Sequence, residues 1–95
     1  MAIGKQSGQS NQRLHAISLG NLSGRENQGE YSVAIGYKAG QNNQHNNSIV
    51  LNASGNLLDS NGENRFYVKP IAPVAGRPGF QILRYNSETG EIAYQ

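Results

Sequence analysis

The feature that most constrains the fold of this chain is a sixteen-residue period. Four related segments, MAIGKQSG, ISLGNLSG, VAIGYKAG and IVLNASGN, begin at residues 1, 17, 33 and 49. A fixed short period is typical of architectures in which each repeat stacks on the next. The sequence therefore predicts a stack of like coils over residues 1–54, and a segment of different character over residues 55–95.

Each repeat opens with a strand-like pattern that ends in glycine. Apolar residues alternate with small ones, which marks one face of a β-strand, and we expect the apolar ladders to fill the interior of the coil. Glycine suits corners that need a positive φ or a close backbone approach. The predicted core residues are Ile3, Ile17, Leu19, Val33, Ile35, Ile49 and Leu51, and the predicted corners are Gly4, Gly8, Gly20, Gly24, Gly36 and Gly40.

The second half of each repeat is polar. Parallel strands stack about 4.8 Å apart, so equivalent amides can hydrogen-bond from coil to coil. Sixteen residues leave room for two short strands and two tight turns per coil, whereas the recurring glycines disfavour a helix. The predicted polar ladders are Asn11, Asn27 and Asn43, and Gln12, Gln28 and Gln44.

The supply of core residues is thin for an independent domain. Of 95 residues, 36% are hydrophobic and none is Trp, and a small domain buries a modest share of its surface even with a richer supply. A stack of this height also has open ends. We therefore expect the chain to share a core with copies of itself.

The last third reads as a connector or cap rich in β-hairpin. Residues 55–64 are rich in turn formers, and residues 65–74 are extended, with Pro70 and Pro73 forbidding an uninterrupted central strand. Residues 80–85 and 91–94 are strand-like and are joined by the loop at 86–90. Two such runs separated by a short Gly-containing loop predict a hairpin.

The SVAIGYKAG motif followed by a polar spacer resembles the head repeats of YadA-like trimeric autotransporter adhesins. The resemblance implies a left-handed parallel β-roll wound as an intertwined homotrimer, with its apolar strands near the threefold axis. The sixteen-residue period is more similar to the AIGYxAGxxNQ repeats of tail-fibre proteins from phages and large DNA viruses. The NSIVLNASGN, FYVKPIAPV and LRYNSETGEIAY passages resemble the part of such fibres that precedes an intramolecular chaperone domain.

The predicted fold is thus an all-β parallel β-roll, a short β-solenoid, in a homotrimer with a C-terminal hairpin-rich cap. The resemblance implies a structural and adhesive segment of a virion tail fibre that presents a multivalent surface to a host glycan or protein receptor. One alternative is the head of a bacterial trimeric adhesin at the cell surface. Another is a solenoid that binds glycan or ice through its amide ladders.

The sequence gives little support to other functional classes. Eight Lys and Arg residues against six Asp and Glu are scattered, which argues against a nucleic-acid surface, and no apolar run is long enough for membrane insertion. No cofactor or metal site and no enzyme activity is predicted; a polysaccharide-degrading spike would need a carboxylate pair, and the acidic residues fall in turns. His15 and His45 lie in different columns of the repeat. The acidic segment with Asp59, Asn61 and Glu63 is interpreted as an Asn-Gly turn, since a calcium loop needs more oxygen ligands.

Overall fold

The computed structural model describes residues 1–72, 75–79 and 82–93. Within these ranges the chain forms β-strands and turns and contains no helix. One sheet holds the seven strands in the order β1-β2-β3-β4-β5-β7-β6. The strands are β1 (Ala2–Ile3), β2 (Ile17–Leu19), β3 (Val33–Gly36), β4 (Ile49–Asn52), β5 (Phe66–Lys69), β6 (Arg84–Tyr85) and β7 (Glu91–Ala93).

The first four strands confirm the predicted solenoid. They pair in parallel, each with the next, and every pair is offset by sixteen residues, as in Ile17 opposite Val33 and Val33 opposite Ile49. One turn of the solenoid therefore equals one sequence repeat. Equivalent residues lie directly above one another, as the column pattern requires.

The second side of the coil, where sixteen residues leave room for another short strand, forms no strand in the described residues. On the second side of the coil, the pairing is reduced to isolated parallel bridges that join Ser10, Glu26 and Asn42. Asn27 and Asn43, which follow Glu26 and Asn42, have φ of 53° and 51°. A left-handed residue cannot continue extended backbone, so the ladder stops there.

The parallel sheet continues beyond the sequence repeat. β5 pairs in parallel with β4, with Phe66 opposite Ile49, after a step of seventeen residues. The strand ends at Lys69, directly before Pro70, which has no N–H to donate to a ladder. A fifth rung therefore lies within the region that the sequence assigned to the connector.

The C-terminal hairpin extends the same sheet beyond β5. β6 and β7 pair antiparallel, and β7 also pairs antiparallel with β5, with Ile92 opposite Phe66. The strand β6 is shorter than predicted, because Ile82 and Leu83 lie outside it. The predicted strand residues Phe80, Gln81 and Tyr94, as well as Pro73 and Val74 of the extended segment, lie outside the described residues.

The interior of the coil is filled by small and polar side chains, which corrects the expectation that the large apolar ladders fill it. Ala34 and Val50 are fully buried, whereas Ile3, Ile35 and Ile49 are 60%, 39% and 41% exposed. The interior is narrow at the corners: a Cβ on Gly24 would lie 2.9 Å from the Ser18 Cβ atom and 2.8 Å from the Gln28 side-chain oxygen. In the coils that carry these glycine corners, large side chains therefore have room only on the outer side of the strands.

Candidate interaction surface

The outer side of the parallel strands forms the candidate functional surface. It carries two apolar ladders that run the length of the stack, and every residue in them is partly or largely exposed. We call this surface the apolar face. It consists of Met1, Ile17, Val33, Ile49 and Phe66 in one ladder and Ile3, Leu19, Ile35, Leu51 and Val68 in the other.

A glycine corner at the end of each of the first three strands keeps this surface regular. Gly20 has a φ of 120°, and a Cβ on it would lie 2.9 Å from the carbonyl oxygen of Gly36 in the next coil. Any side chain here would push neighbouring coils apart. The corner thus maintains the coil spacing that aligns the apolar ladders.

A groove interrupts the apolar face at its C-terminal end, and we call it the β4–β7 groove. Its volume is about 440 Å³, and its apolar lining comes from β4, β5 and β7. Arg65 and Glu91 also line it, with 3.6 Å between the Arg65 Nε atom and a Glu91 carboxylate oxygen. The full lining is Asn47, Ile49, Asn64, Arg65, Phe66, Glu91, Ile92 and Ala93.

The glutamine ladder lies inside the coil. The Gln12 amide donates to the Gln28 oxygen at 2.8 Å, and the Gln28 amide donates to the Gln44 oxygen at 3.2 Å. Gln28 is fully buried and also donates to the Ile17 carbonyl at 2.7 Å. Each buried amide thus ties the second side of the coil to the strand and to the neighbouring coil.

The asparagine ladder lies outside the coil. The Asn11 amide donates to the Asn27 oxygen at 2.9 Å, and the Asn27 amide donates to the Asn43 oxygen at 2.8 Å. All three residues are exposed and have left-handed backbone. This ladder therefore presents a row of amides to solvent, on the side of the coil away from the apolar face.

The two histidines have unrelated surroundings. The His15 ring stacks on Tyr31 of the next coil, with 5.1 Å between ring centroids. His45 is two coils away, where its Nδ1 atom lies 2.8 Å from the Ser60 hydroxyl, and its backbone N–H donates to the same oxygen at 2.9 Å. The structure does not bring the two imidazoles together.

The acidic turn sends its oxygens to separate partners. The backbone N–H of Asn42 donates to the Asp59 carboxylate at 3.1 Å, while the Asn61 side-chain oxygen accepts from the Tyr67 hydroxyl. Burial raises the pKa of the Asp59 carboxyl above its ordinary value of 3.8, and the hydrogen bonds from Asn42 act in the opposite direction. Residues 1–72, 75–79 and 82–93 contain no group of three His, Asp or Glu side chains arranged to hold a metal ion.

Sequence reasoning missed Tyr67, the largest fully buried side chain among the described residues. Its hydroxyl accepts from the Asn61 backbone N–H at 3.0 Å, which anchors the turn to the fifth rung. The available signal was the alignment of FYVK with VAIG. That alignment places Tyr67 in the column of Ala34 and Val50, which points into the coil.

The comparisons with known proteins do not assign a function to this surface. Over the described part of the chain, there is no helix long and apolar enough to cross a membrane. No protein-family model, no curated protein and no solved structure matches this chain.

Proposed function

We propose that this chain is a segment of a homotrimeric fibre in which three copies pack their apolar faces around a common axis. The observation that carries the proposal is the exposure of Ile3, Ile35 and Ile49 in two continuous ladders. Monomeric soluble proteins rarely expose an apolar surface of this continuity, and larger ones mark interaction sites. Burying a fully exposed Ile or Leu side chain gains about 1.5–3 kcal/mol, so a ladder of partly exposed ones gives a real driving force.

Side-by-side association suits the geometry of this surface. The ladders run along the stack, so two copies bury them over their whole length only when the stacks lie side by side. The long axis of the described molecule measures 43 Å, against 24 and 19 Å across. An elongated unit with a lengthwise apolar stripe is what a fibre assembled side by side requires.

In this account, the fibre belongs to a virion tail and serves attachment to a host cell. Its polar outer sides carry the binding surface, in line with the resemblance of the repeats to viral fibre proteins. The receptor is a host-surface glycan or protein. Three identical weak sites held on one rigid body bind far more strongly to a surface than one site does.

Cell binding by matched variants tests this function. Fluorescently labelled chain should bind to susceptible cells, and Ile35→Asp, which breaks the apolar face, should lose most of that binding. Asn43→Asp adds the same charge on the far side of the coil, where an Asp oxygen still accepts from Asn27, and it should remain trimeric. If a monomeric variant binds as well as the wild-type chain, attachment does not depend on a trimer.

A bacterial adhesin head is the rival within the same architecture. It shares the trimer and differs in what accompanies the repeats. In a longer protein containing this chain, a coiled-coil stalk and a membrane barrel would favour the adhesin. An intramolecular chaperone domain would favour the viral fibre.

The exposed asparagine ladder favours a second candidate function, a solenoid that binds ice or glycan. Asn11, Asn27 and Asn43 form an exposed row with one amide per coil. A thermal hysteresis assay and a glycan array test this directly. Activity that survives Ile35→Asp and is lost in Asn27→Gly would favour this candidate, because only the second change alters the ladder.

A further inference from the structure

We propose that His15 and Tyr31 form a platform on which a pyranose ring of a glycan receptor stacks. This inference rests on the proposed function and specifies where on the polar outer sides the receptor binds. The His15 imidazole lies against the Tyr31 ring of the next coil, with 5.1 Å between ring centroids and 16° between ring planes. Stacked strands are about 4.8 Å apart, so the coil spacing itself holds the two rings face to face. We call this pair the aromatic platform.

The backbone at Tyr31 sets this ring apart from an ordinary surface aromatic. Its φ is 53°, in the left-handed region that asparagine tolerates and bulky side chains disfavour. In the next coil the equivalent residue is Asn47, with a φ of 54°. Backbone strain of this kind is concentrated at functional sites. A tyrosine at a position that suits asparagine therefore points to a role for the ring itself.

The platform is fixed in place and accessible. The Tyr31 backbone N–H donates to the Leu14 carbonyl at 3.2 Å, and the Asn47 N–H donates to the Glu30 carbonyl at 2.9 Å. These bonds tie each residue of the column to the preceding coil. His15 covers one face of the Tyr31 ring, yet Tyr31 remains 60% exposed. A ligand therefore meets a ring that is already ordered, which lowers the entropy cost of binding.

The polar groups around the platform match the chemistry of a sugar. Exposed Asn27 lies four residues before Tyr31, so their Cα atoms are at most about 14 Å apart. Half-buried Glu30 directly precedes Tyr31, and exposed Asn47 lies in the next coil. A pyranose has an apolar C–H face that suits an aromatic ring and a rim of hydroxyl groups that suits amides and carboxylates. Single-stranded nucleic acid also stacks on aromatic rings, but it requires a positively charged groove, and the basic residues of this chain are scattered.

Binding to displayed sugars tests the inference. The probes are oligosaccharides of glucose, galactose, mannose and N-acetylglucosamine on a sensor surface, and the wild-type chain should bind at least one of them. Tyr31→Asn should weaken that binding about tenfold or more, as expected for the loss of an aromatic anchor. Tyr31→Phe, which keeps the ring, should stay within about threefold of wild type. A Tyr31→Asn chain that binds as tightly as wild type would overturn the inference.

Tyr37→Asn is the matched control. Tyr37 belongs to the same coil, is 40% exposed and lies beyond the other end of β3. The equivalent residue of the preceding coil is Asn21, so both variants replace an exposed tyrosine with the residue that a neighbouring coil has there. Tyr37→Asn should bind sugar within about twofold of wild type. Equal losses in the two variants would contradict a specific role for Tyr31.

Stability distinguishes a recognition role from a structural one. Tyr31→Asn should unfold at a urea concentration no lower than wild type, because asparagine accepts the left-handed backbone and this offsets the lost stack on His15. A ring that serves the fold would instead lose stability and binding together. A clear fall in the urea midpoint of Tyr31→Asn would therefore overturn the inference.

The outcomes also separate the platform from the proposed function. A trimeric chain that binds cells but none of the four sugars contradicts the platform and leaves attachment standing. A Tyr31→Asn chain that sediments as a monomer shows that the ring lies between copies, which contradicts the platform and supports the trimer. A monomeric wild-type chain that binds sugar through Tyr31 supports the platform and contradicts the trimer.

Discussion

At the residue scale, the coil depends on glycines at positions where the backbone conformation and the close contacts exclude a side chain. Gly36 has a φ of 116°, and a Cβ on it would collide with the carbonyl oxygen of Asn52 in the next coil. Gly55 also has a positive φ, of 82°, but has open space where its Cβ would be. Both glycines have a positive φ, which residues with a side chain rarely adopt. Only Gly36 is also in close contact with the next coil.

Gly36→Ala is therefore expected to destabilise the chain far more than Gly55→Ala. The φ strain common to both costs about 1–3 kcal/mol, and the collision at Gly36 adds to it because the obstacle is backbone that cannot move aside. Urea denaturation followed by circular dichroism measures both. Equal losses of stability would show that coil spacing at this corner is not set by close approach.

Asp59 gives a residue-scale prediction about pH. Because burial raises its folded-state pKa above 3.8, the folded chain binds more protons than the unfolded chain between the unfolded and folded pKa values. The free energy of unfolding therefore falls as pH rises through that window. Asp59→Asn, which keeps an oxygen for the Asn42 N–H, removes this dependence.

The stability of Asp59→Asn relative to wild type should increase as pH rises above about 3.8 and level off above the folded-state pKa. Paired denaturation curves from about pH 3 to pH 7 measure the difference, in which all other titrating groups cancel. A relative stability that falls with rising pH would contradict a raised pKa for Asp59.

At the element scale, the coil is held closed by amides rather than by a large hydrophobic core. Gln28, which is fully buried, donates to the Ile17 carbonyl and accepts from Gln12. Asn27 makes the same kind of ladder bond outside, in contact with water. The neighbouring residues Asn27 and Gln28 thus make the same kind of amide hydrogen bond between coils, Gln28 from the interior and Asn27 in contact with water.

Gln28→Ala is expected to cost about 2–4 kcal/mol, because it opens a cavity at a fully buried position and removes the amide that donates to the Ile17 carbonyl and to Gln44. Asn27→Gly is expected to cost less than about 1 kcal/mol, because glycine accepts the left-handed backbone and water replaces the lost bond. Thermal or urea unfolding of both variants measures this. A larger loss for Asn27→Gly would mean that the outer ladder is the one that holds the coil.

The repeat made much of the architecture predictable, and it left the direction of the strand faces undetermined. The sixteen-residue step alone gives the coil length and the starts of β2, β3 and β4. An alternating pattern shows that a strand has two faces, but it does not say which one points inward. Here the small and polar column fills the coil, since close corners exclude large side chains, as the contacts of Gly24 with Ser18 illustrate. The fifth rung was hidden because its step is seventeen residues and its inward residue, Tyr67, is large.

At the scale of the whole molecule, the two ladders of large apolar side chains lie on the outside of the coil. In the proposed assembly, the Ile and Leu side chains of the two outward ladders would be buried between copies, whereas the narrow interior of the coil buries mainly small and polar side chains. This exposure also determines what a charge at Ile35 should do. Because Ile35 is 39% exposed in the single chain, a charge there is tolerated by the coil and becomes buried only when copies meet.

Ile35→Asp should therefore dissociate the assembly and leave a folded β-solenoid. Three carboxylates brought near one axis would lose their hydration without gaining partners, which is strongly unfavourable. Circular dichroism should retain the β-sheet spectrum while the mass falls to that of one chain. An Ile35→Asp chain that remains assembled would show that the apolar face is not where copies meet.

The mass of the wild-type chain in solution shows whether three copies assemble. Sedimentation equilibrium at low concentration should give three times the 10.3 kDa mass of one chain. The chain should return this mass over a range of loading concentrations, since three copies bury one another's apolar faces. A well-folded species of 10.3 kDa under the same conditions would contradict the account.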